Sequence, residues 1–155
     1  MTYNFDAQKA RGDAGESFLD QVFTTDYEVH PATRQEQRQG IDRIFTRRRT
    51  GQRLAVEYKT DYKAAHTGNA FVETVSVDTA GKAGWAYSSA ADYLIYYVPG
   101  DEVIYVIALE ALRRELPRWV REYPLRAAQN EGYATHGVLV PLCEFEEHAE
   151  AVVSI

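Results

Sequence analysis

Two short segments carry the residue types that could do chemistry: Gly40-Ile41-Asp42 and Glu57-Tyr58-Lys59. Each sits in a run that reads as a strand, Ile41 to Arg49 and Gln52 to Tyr62, with Thr50-Gly51 as the turn between them. A two-residue turn pairs Asp42 with Lys59, Ile44 with Glu57 and Thr46 with Ala55. Side chains alternate along a strand, so Asp42, Glu57 and Lys59 share one face. Ile41, Phe45, Leu54, Val56 and Tyr58 then form the opposite, core-facing side. A one-residue change in the loop would turn Asp42 to the other side.

Two carboxylates are hard oxygen ligands suited to Mg²⁺, with Mn²⁺ as the expected substitute. Such a metal lowers the pKa of a bound water and neutralises charge on a phosphoryl group. A neighbouring lysine can hold the attacking water or stabilise the developing charge. The set is therefore suited to hydrolysing a phosphodiester. A plain alternative is a cross-strand Asp42–Lys59 ion pair on an exposed face, worth only ~0–1 kcal/mol. A second acid-x-lysine triplet, Asp61-Tyr62-Lys63, also occurs, but Leu54-Ala55-Val56 leads into the first as a buried strand.

The elements that must position these residues read as α/β. Asp6 to Phe23 has apolar residues at helical spacing, weakened at its start by Gly12 and Gly15. Asp26 to Thr33 is a strand, and Arg34 to Gly40 a polar loop. After the hairpin come a loop at Ala64 to Asn69, a strand at Phe71 to Val77, and a short helix from Asp78 or Thr79 to about Ala90. Asp92 to Val98 and Glu102 to Leu109 are buried strands. Glu110 to Tyr123 is an amphipathic helix in which Pro117 predicts a kink or break. Gly137 to Leu142 is a late strand, and Glu146 to Val153 a short terminal helix. The sum is a mixed sheet with helices on both faces, in one domain spanning residues 1–155.

The chain of 155 residues has a net charge of −6, which argues against a general polyanion binder. Yet nine basic residues fall between positions 34 and 63: Arg34, Arg38, Arg43, Arg47, Arg48, Arg49, Arg53, Lys59 and Lys63. Only four acids share that window. This segregation points to an anionic partner, with Arg43, Arg47, Arg48, Arg49, Arg53 and Lys63 gripping nucleic-acid phosphates. A solvated arginine-rich hairpin would look the same. No apolar run approaches a membrane span. The start, Met1 to Asp6, lacks a signal-like stretch, and the single Cys143 fits a reducing compartment, so a cytoplasmic location is expected. The four histidines show no metal-ligand spacing, and Cys143 reads as a small buried hydrophobe.

Helix, strand, Gly-Ile-Asp42 on a second strand, Val-Glu57-Tyr-Lys59 on a third, then helix and strand: this order resembles the PD-(D/E)XK nuclease superfamily over residues 9 to 98. The resemblance implies a restriction-endonuclease-like fold and Mg²⁺-dependent cleavage of DNA, with Asp42 and Glu57 as metal ligands and Lys59 assisting the water. Family members often add an acid from the first helix, which Glu16 in Gly15-Glu16-Ser17-Phe18-Leu19 matches. Thr67-Gly68-Asn69-Ala70-Phe71-Val72-Glu73 is similar to a segment of some phage-type members and brings in Glu73 as a further site residue. Ile41 stands where the nominal motif has proline. A small member with no separate recognition domain implies a homodimer, of the junction-resolvase-like, structure-selective kind, acting on duplex, single-stranded or branched DNA. Two other readings stand beside it. One is a non-catalytic nucleic-acid or protein binding module on the same fold. The other is a structural subunit docking through its acidic tail and the Trp119 helix.

Overall fold

The structure is a computed structural model and describes residues 5–155. Met1 to Asn4, part of the segment read above for an export signal, lie outside the described residues. Among those residues no helix is long and apolar enough to cross a membrane.

The chain runs α1 (Phe5–Phe23), β1 (Tyr27–Pro31), α2 (Arg34–Arg38), β2 (Arg43–Arg47), β3 (Arg53–Thr60), α3 (Ala64–Thr67), β4 (Asn69–Val77), β5 (Lys82–Ala83) and α4 (Trp85–Ser88). It continues with β6 (Tyr93–Val98), β7 (Val103–Ala108), α5 (Leu109–Glu122), β8 (Leu125–Gln129), β9 (Ala134–Pro141), α6 (Leu142–His148) and β10 (Ala151–Ser154). A six-stranded sheet has the order β1-β2-β3-β6-β7-β10. It is mixed because β3 and β6 run parallel while its other pairs are antiparallel. A second, four-stranded sheet has the order β5-β4-β9-β8. The expected α/β class, a mixed sheet with helices, is what forms.

The main sheet is buried on both faces. Against one face α1 packs Leu19 with Phe45, Val56, Tyr58, Ile95 and Ile104. Against the other lie Trp85 of α4, Leu112, Leu116 and Trp119 of α5, and Val72 and Val138 of the second sheet, meeting Ile44, Leu94 and Tyr96. Strands covered on both sides read as near-continuous apolar runs, which is why β6 and β7 stood out in the sequence.

Several expectations are corrected. Arg34 to Arg38 is a helix, held by a capping box: the Glu36 N–H donates to Thr33 Oγ1 and the Thr33 N–H to Glu36 Oε1. Residues 64–67 form a short helix, not a loop. The helix expected from Asp78 to Ala90 is split into a 3₁₀ turn, β5 and α4; Gly81 takes the left-handed conformation that ends the turn. Helix α5 continues through Pro117, which lies on its exposed side. Ile41 joins the cluster of Trp85 and Leu94 rather than that of Phe45, because β2 begins only at Arg43 and alternation does not extend back past it. The terminal helix ends at His148, and Ala151–Ser154 adds a strand to β7. Cys143 is exposed. Trp119 is fully buried, so it offers no docking surface.

The acidic tail also points inward at one position. Glu144 is 7% exposed and accepts from both Nη atoms of Arg118 (2.9 and 2.7 Å), from Trp119 Nε1 (3.1 Å) and from the Tyr123 hydroxyl (2.6 Å). Arg118 above all, against the opposing effect of burial, holds the Glu144 carboxyl down at about 2, below its ordinary 4.5. Because the folded value lies below the unfolded one, the charged form stabilises the fold above pH 4.5, and that contribution is lost as pH falls through about 2. Removing the carboxylate takes from the half-buried Arg118 its two-pronged partner and leaves the buried Trp119 indole N–H unpaired. Glu144→Ala should therefore lower unfolding free energy by about 3 kcal/mol at pH 7 in urea titrations, and the gap to wild type should narrow as acid approaches pH 2.

Candidate active site

The β2–β3 hairpin turns through four residues, Arg48 to Gly51, with the Arg47 N–H donating to Gln52 O (2.8 Å) and the Gly51 N–H to Arg47 O (2.8 Å). Ile44 therefore pairs with Ala55 and Phe45 with Leu54. That register is displaced by two residues from the expected one. Asp42 lies beyond the last pair, Arg43 with Val56, and not opposite Lys59. Glu57 and Lys59 share one face of β3, whereas Asp42 and Arg43 both lie against Val56, an irregularity at which alternation stops. Asp42 precedes the first paired residue of β2. Its own N–H donates to Val56 O (2.9 Å), and its Oδ2 accepts the Tyr58 N–H (2.8 Å). The carboxylate thus takes the place of a strand carbonyl that is not there.

Glu57 is the buried centre of the group, only 4% exposed. Its Oε1 meets Lys59 Nζ at 3.1 Å, while its Oε2 is buried with no hydrogen-bond partner. The exposed-face Asp42–Lys59 pair is not formed among the described residues. Lys59 reaches outward instead, with Nζ over the Trp85 ring, 6.0 Å from its centroid. Glu73 of β4 approaches from the second sheet. Burial pushes its carboxyl above the ordinary 4.5; Lys59 and the Trp85 N–H, which donates to Oε1 at 3.4 Å, oppose that, and Glu57 adds to it. This juxtaposition depends on Gly84: a Cβ there would lie 2.4 Å from Glu73 O and 2.7 Å from its Cγ.

Glu16 comes from the other side. Gly15 lets α1 sit directly on β3, since a Cβ would lie 2.2 Å from Thr60 Oγ1. The next residue, Glu16, faces the end of the strand pair. Burial first, then the nearby Asp42, raise its carboxyl above 4.5, while Arg43 works against them. Two carboxylate pairs thus flank β3, Glu16 with Asp42 and Glu57 with Glu73, each group steadied by a different donor: Arg43, the Tyr58 N–H, Lys59 and the Trp85 N–H. Trp85 was not named as a site residue from the sequence, where Gly84 counted only as a weak point of a helix.

The basic residues divide. Arg43 is turned into the protein, bound to Asp20 and Glu16. Arg47 lies over the Tyr27 ring at 5.6 Å, and Arg48 donates from Nε to Thr24 O at 3.1 Å. Arg48, Arg49 and Arg53 are exposed at the hairpin's turn, and six residues of extended chain from Asp42 to Arg48 place that turn about 20 Å from the carboxylates. Lys63 is exposed just beyond β3, at the carboxylate end.

Elsewhere, Glu144, Glu147 and His148 bring ligand atoms within 4.8 Å of one another. Glu144 is already engaged by Arg118, Trp119 and Tyr123, and Glu147 is exposed. Comparison with family models, with curated proteins and with solved structures finds no match to the chain.

The Gly84 contact gives a direct test of how the site is walled. Its neighbour is backbone, which cannot rotate away. Gly84→Ala should lower stability by about 2 kcal/mol in chemical denaturation and shift Trp85 fluorescence relative to wild type.

Proposed function

We propose that the chain is a divalent-metal-dependent nuclease that hydrolyses phosphodiester bonds of DNA. The observation that carries this reading is Glu57: a carboxylate inside a sheet, with a lysine on one oxygen and nothing on the other, next in sequence to Tyr58, whose N–H holds the Asp42 carboxylate. A buried charged oxygen without a partner is costly and is retained where a ligand completes it. The donor set consists of carboxylate oxygens, which fits Mg²⁺ or Mn²⁺. Asp42 and Glu57 would hold the ion, with Glu16 and Glu73 on its flanks. When bound, the metal would supply an activated water and neutralise phosphoryl charge.

The chain's own residues have separable roles. Lys59, held by Glu57 and laid against Trp85, presents a positive charge at the mouth of the site, where it can orient a water or a scissile phosphate. Trp85 keeps that lysine out of bulk water on one side. Lys63, exposed at the same end, is placed for a flanking phosphate. The succession α1, β1, β2, β3, α4 and β6 follows the order quoted above for the PD-(D/E)XK superfamily, with α2, α3, β4 and β5 inserted into it, and this supports the reading. The hairpin arginines Arg48, Arg49 and Arg53 could touch only substrate extending well beyond the scissile bond, as duplex or branched DNA on a homodimer would.

Cleavage of linear duplex, single-stranded and branched DNA, with RNA for comparison, should require Mg²⁺ or Mn²⁺. Asp42→Asn, Glu57→Gln and Lys59→Ala should each lower the rate by about 100-fold or more. Mn²⁺ should raise the melting temperature of wild type and not of Glu57→Gln. Full cleavage by folded variants would refute the assignment. Metal-independent, salt-sensitive binding without cleavage would favour a binding module instead.

A further inference from the structure

Arg43 was expected to grip nucleic acid, but its side chain is only 16% exposed and its donors are engaged within the protein. Nε meets Asp20 Oδ1 at 3.0 Å, and Nη2 meets Asp20 Oδ2 at 3.2 Å, a two-pronged grip on one carboxylate. Nη2 also meets Glu16 Oε2 at 3.2 Å, and Nη1 donates to the backbone oxygen of Asp42 at 2.9 Å. The guanidinium plane lies over the Tyr58 ring at 5.4 Å, and the Tyr58 hydroxyl donates to Asp20 Oδ1 at 2.9 Å. One planar group therefore ties α1, β2 and β3 together at the site.

We propose that Arg43 is a positioning residue, anchored by Asp20 and Tyr58, that holds Glu16 beside Asp42 so that Glu16 belongs to the carboxylate set for the divalent cation. This rests on the metal-site reading above and adds to it the device that assembles the site from two elements. Glu16 and Asp20 are four residues apart, so they project from the same face of α1. The apolar contacts of Leu19 seat the helix on the sheet, yet they do not orient a glutamate with three rotatable bonds and a side chain 38% exposed. Glu16 also faces Asp42, a like charge that drives the two apart. Arg43 overcomes this by contacting both: the carboxylate of one and the main chain of the other. Asp20 is the separate anchor. With two bonds to Asp20, Arg43 stays in place whichever partner Glu16 takes. An arginine is needed, since a lysine has no fork to bind Asp20 and Glu16 together.

Calorimetric titration of the full chain with Mn²⁺ tests this without relying on activity. Arg43→Lys, Asp20→Asn and Glu16→Gln should each weaken Mn²⁺ binding about tenfold. The double variant Arg43→Lys/Glu16→Gln should bind no more weakly than Glu16→Gln alone, because Arg43 acts through Glu16. A merely structural role predicts additive losses, about 100-fold in the double variant, and that result would overturn the proposal; so would unchanged affinity in Arg43→Lys. Tyr58→Phe keeps the ring and removes one bond to Asp20. It should weaken binding about threefold, and it carries the test with Asp20→Asn/Glu16→Gln if Arg43→Lys does not fold. Wild type that binds no Mn²⁺ refutes the metal-site reading and this proposal with it. Wild type that binds, with additive losses, refutes the positioning role alone.

Discussion

A carboxylate at Glu57 sits in a strand whose two faces are both buried, and much of the surrounding structure follows from having to accommodate that charge. Interior β3 has α1 on one side and α4 with the second sheet on the other. A charge there can be tolerated only near the strand's end, where partners and solvent are within reach. Lys59, two residues on, emerges at that end on the same face and neutralises one oxygen of Glu57. Asp42 precedes β2 by one residue, which leaves its side chain free to bond the Tyr58 amide. The tight approaches at Gly15 and Gly84 then bring Glu16 and Glu73 in from the two layers. The site is a seam between layers, and its residues come from α1, the start of β2, β3 and β4.

Much of this arrangement was legible because it depends on local rules. Alternation placed Glu57 and Lys59 on one face, and continuous apolar runs marked β6 and β7. The register was not legible. A Thr50-Gly51 dipeptide suggests a two-residue turn, but the chain closes over four residues, since Gly51 takes the left-handed conformation and bonds back to Arg47. Glu57 and Lys59 share a face whatever the register, being two apart on one strand, but the place of Asp42 depends on it. Two omissions had signals that were present and outweighed. Thr33 and Glu36 are the two halves of a capping box, hidden in a polar stretch that reads as loop. Val152 and Val153 have strand character, but their pairing with Tyr105 and Ile104 is a tertiary fact. Trp85 and Asp20 were not legible as site residues, because each matters through a neighbour from a distant part of the chain.

Charge clustering in sequence proved a poor guide to charge clustering in space, and the reason is geometric. A hairpin is two extended strands, so a run of arginines around its turn lies a full strand length from the residues at its open end, about 20 Å here. The basic window divides accordingly. Arg43 and Lys59, at the open end, are spent on Asp20, Glu16 and Glu57; Arg48, Arg49 and Arg53 face solvent at the turn. Five carboxylates lie around the open end, Glu16, Asp20, Asp42, Glu57 and Glu73, and only Arg43 and Lys59 meet them. That imbalance leaves an excess of negative charge at the open end. A small, doubly charged cation offsets such an excess better than a further lysine, because it can meet several carboxylate oxygens at once without a side chain that must itself be packed.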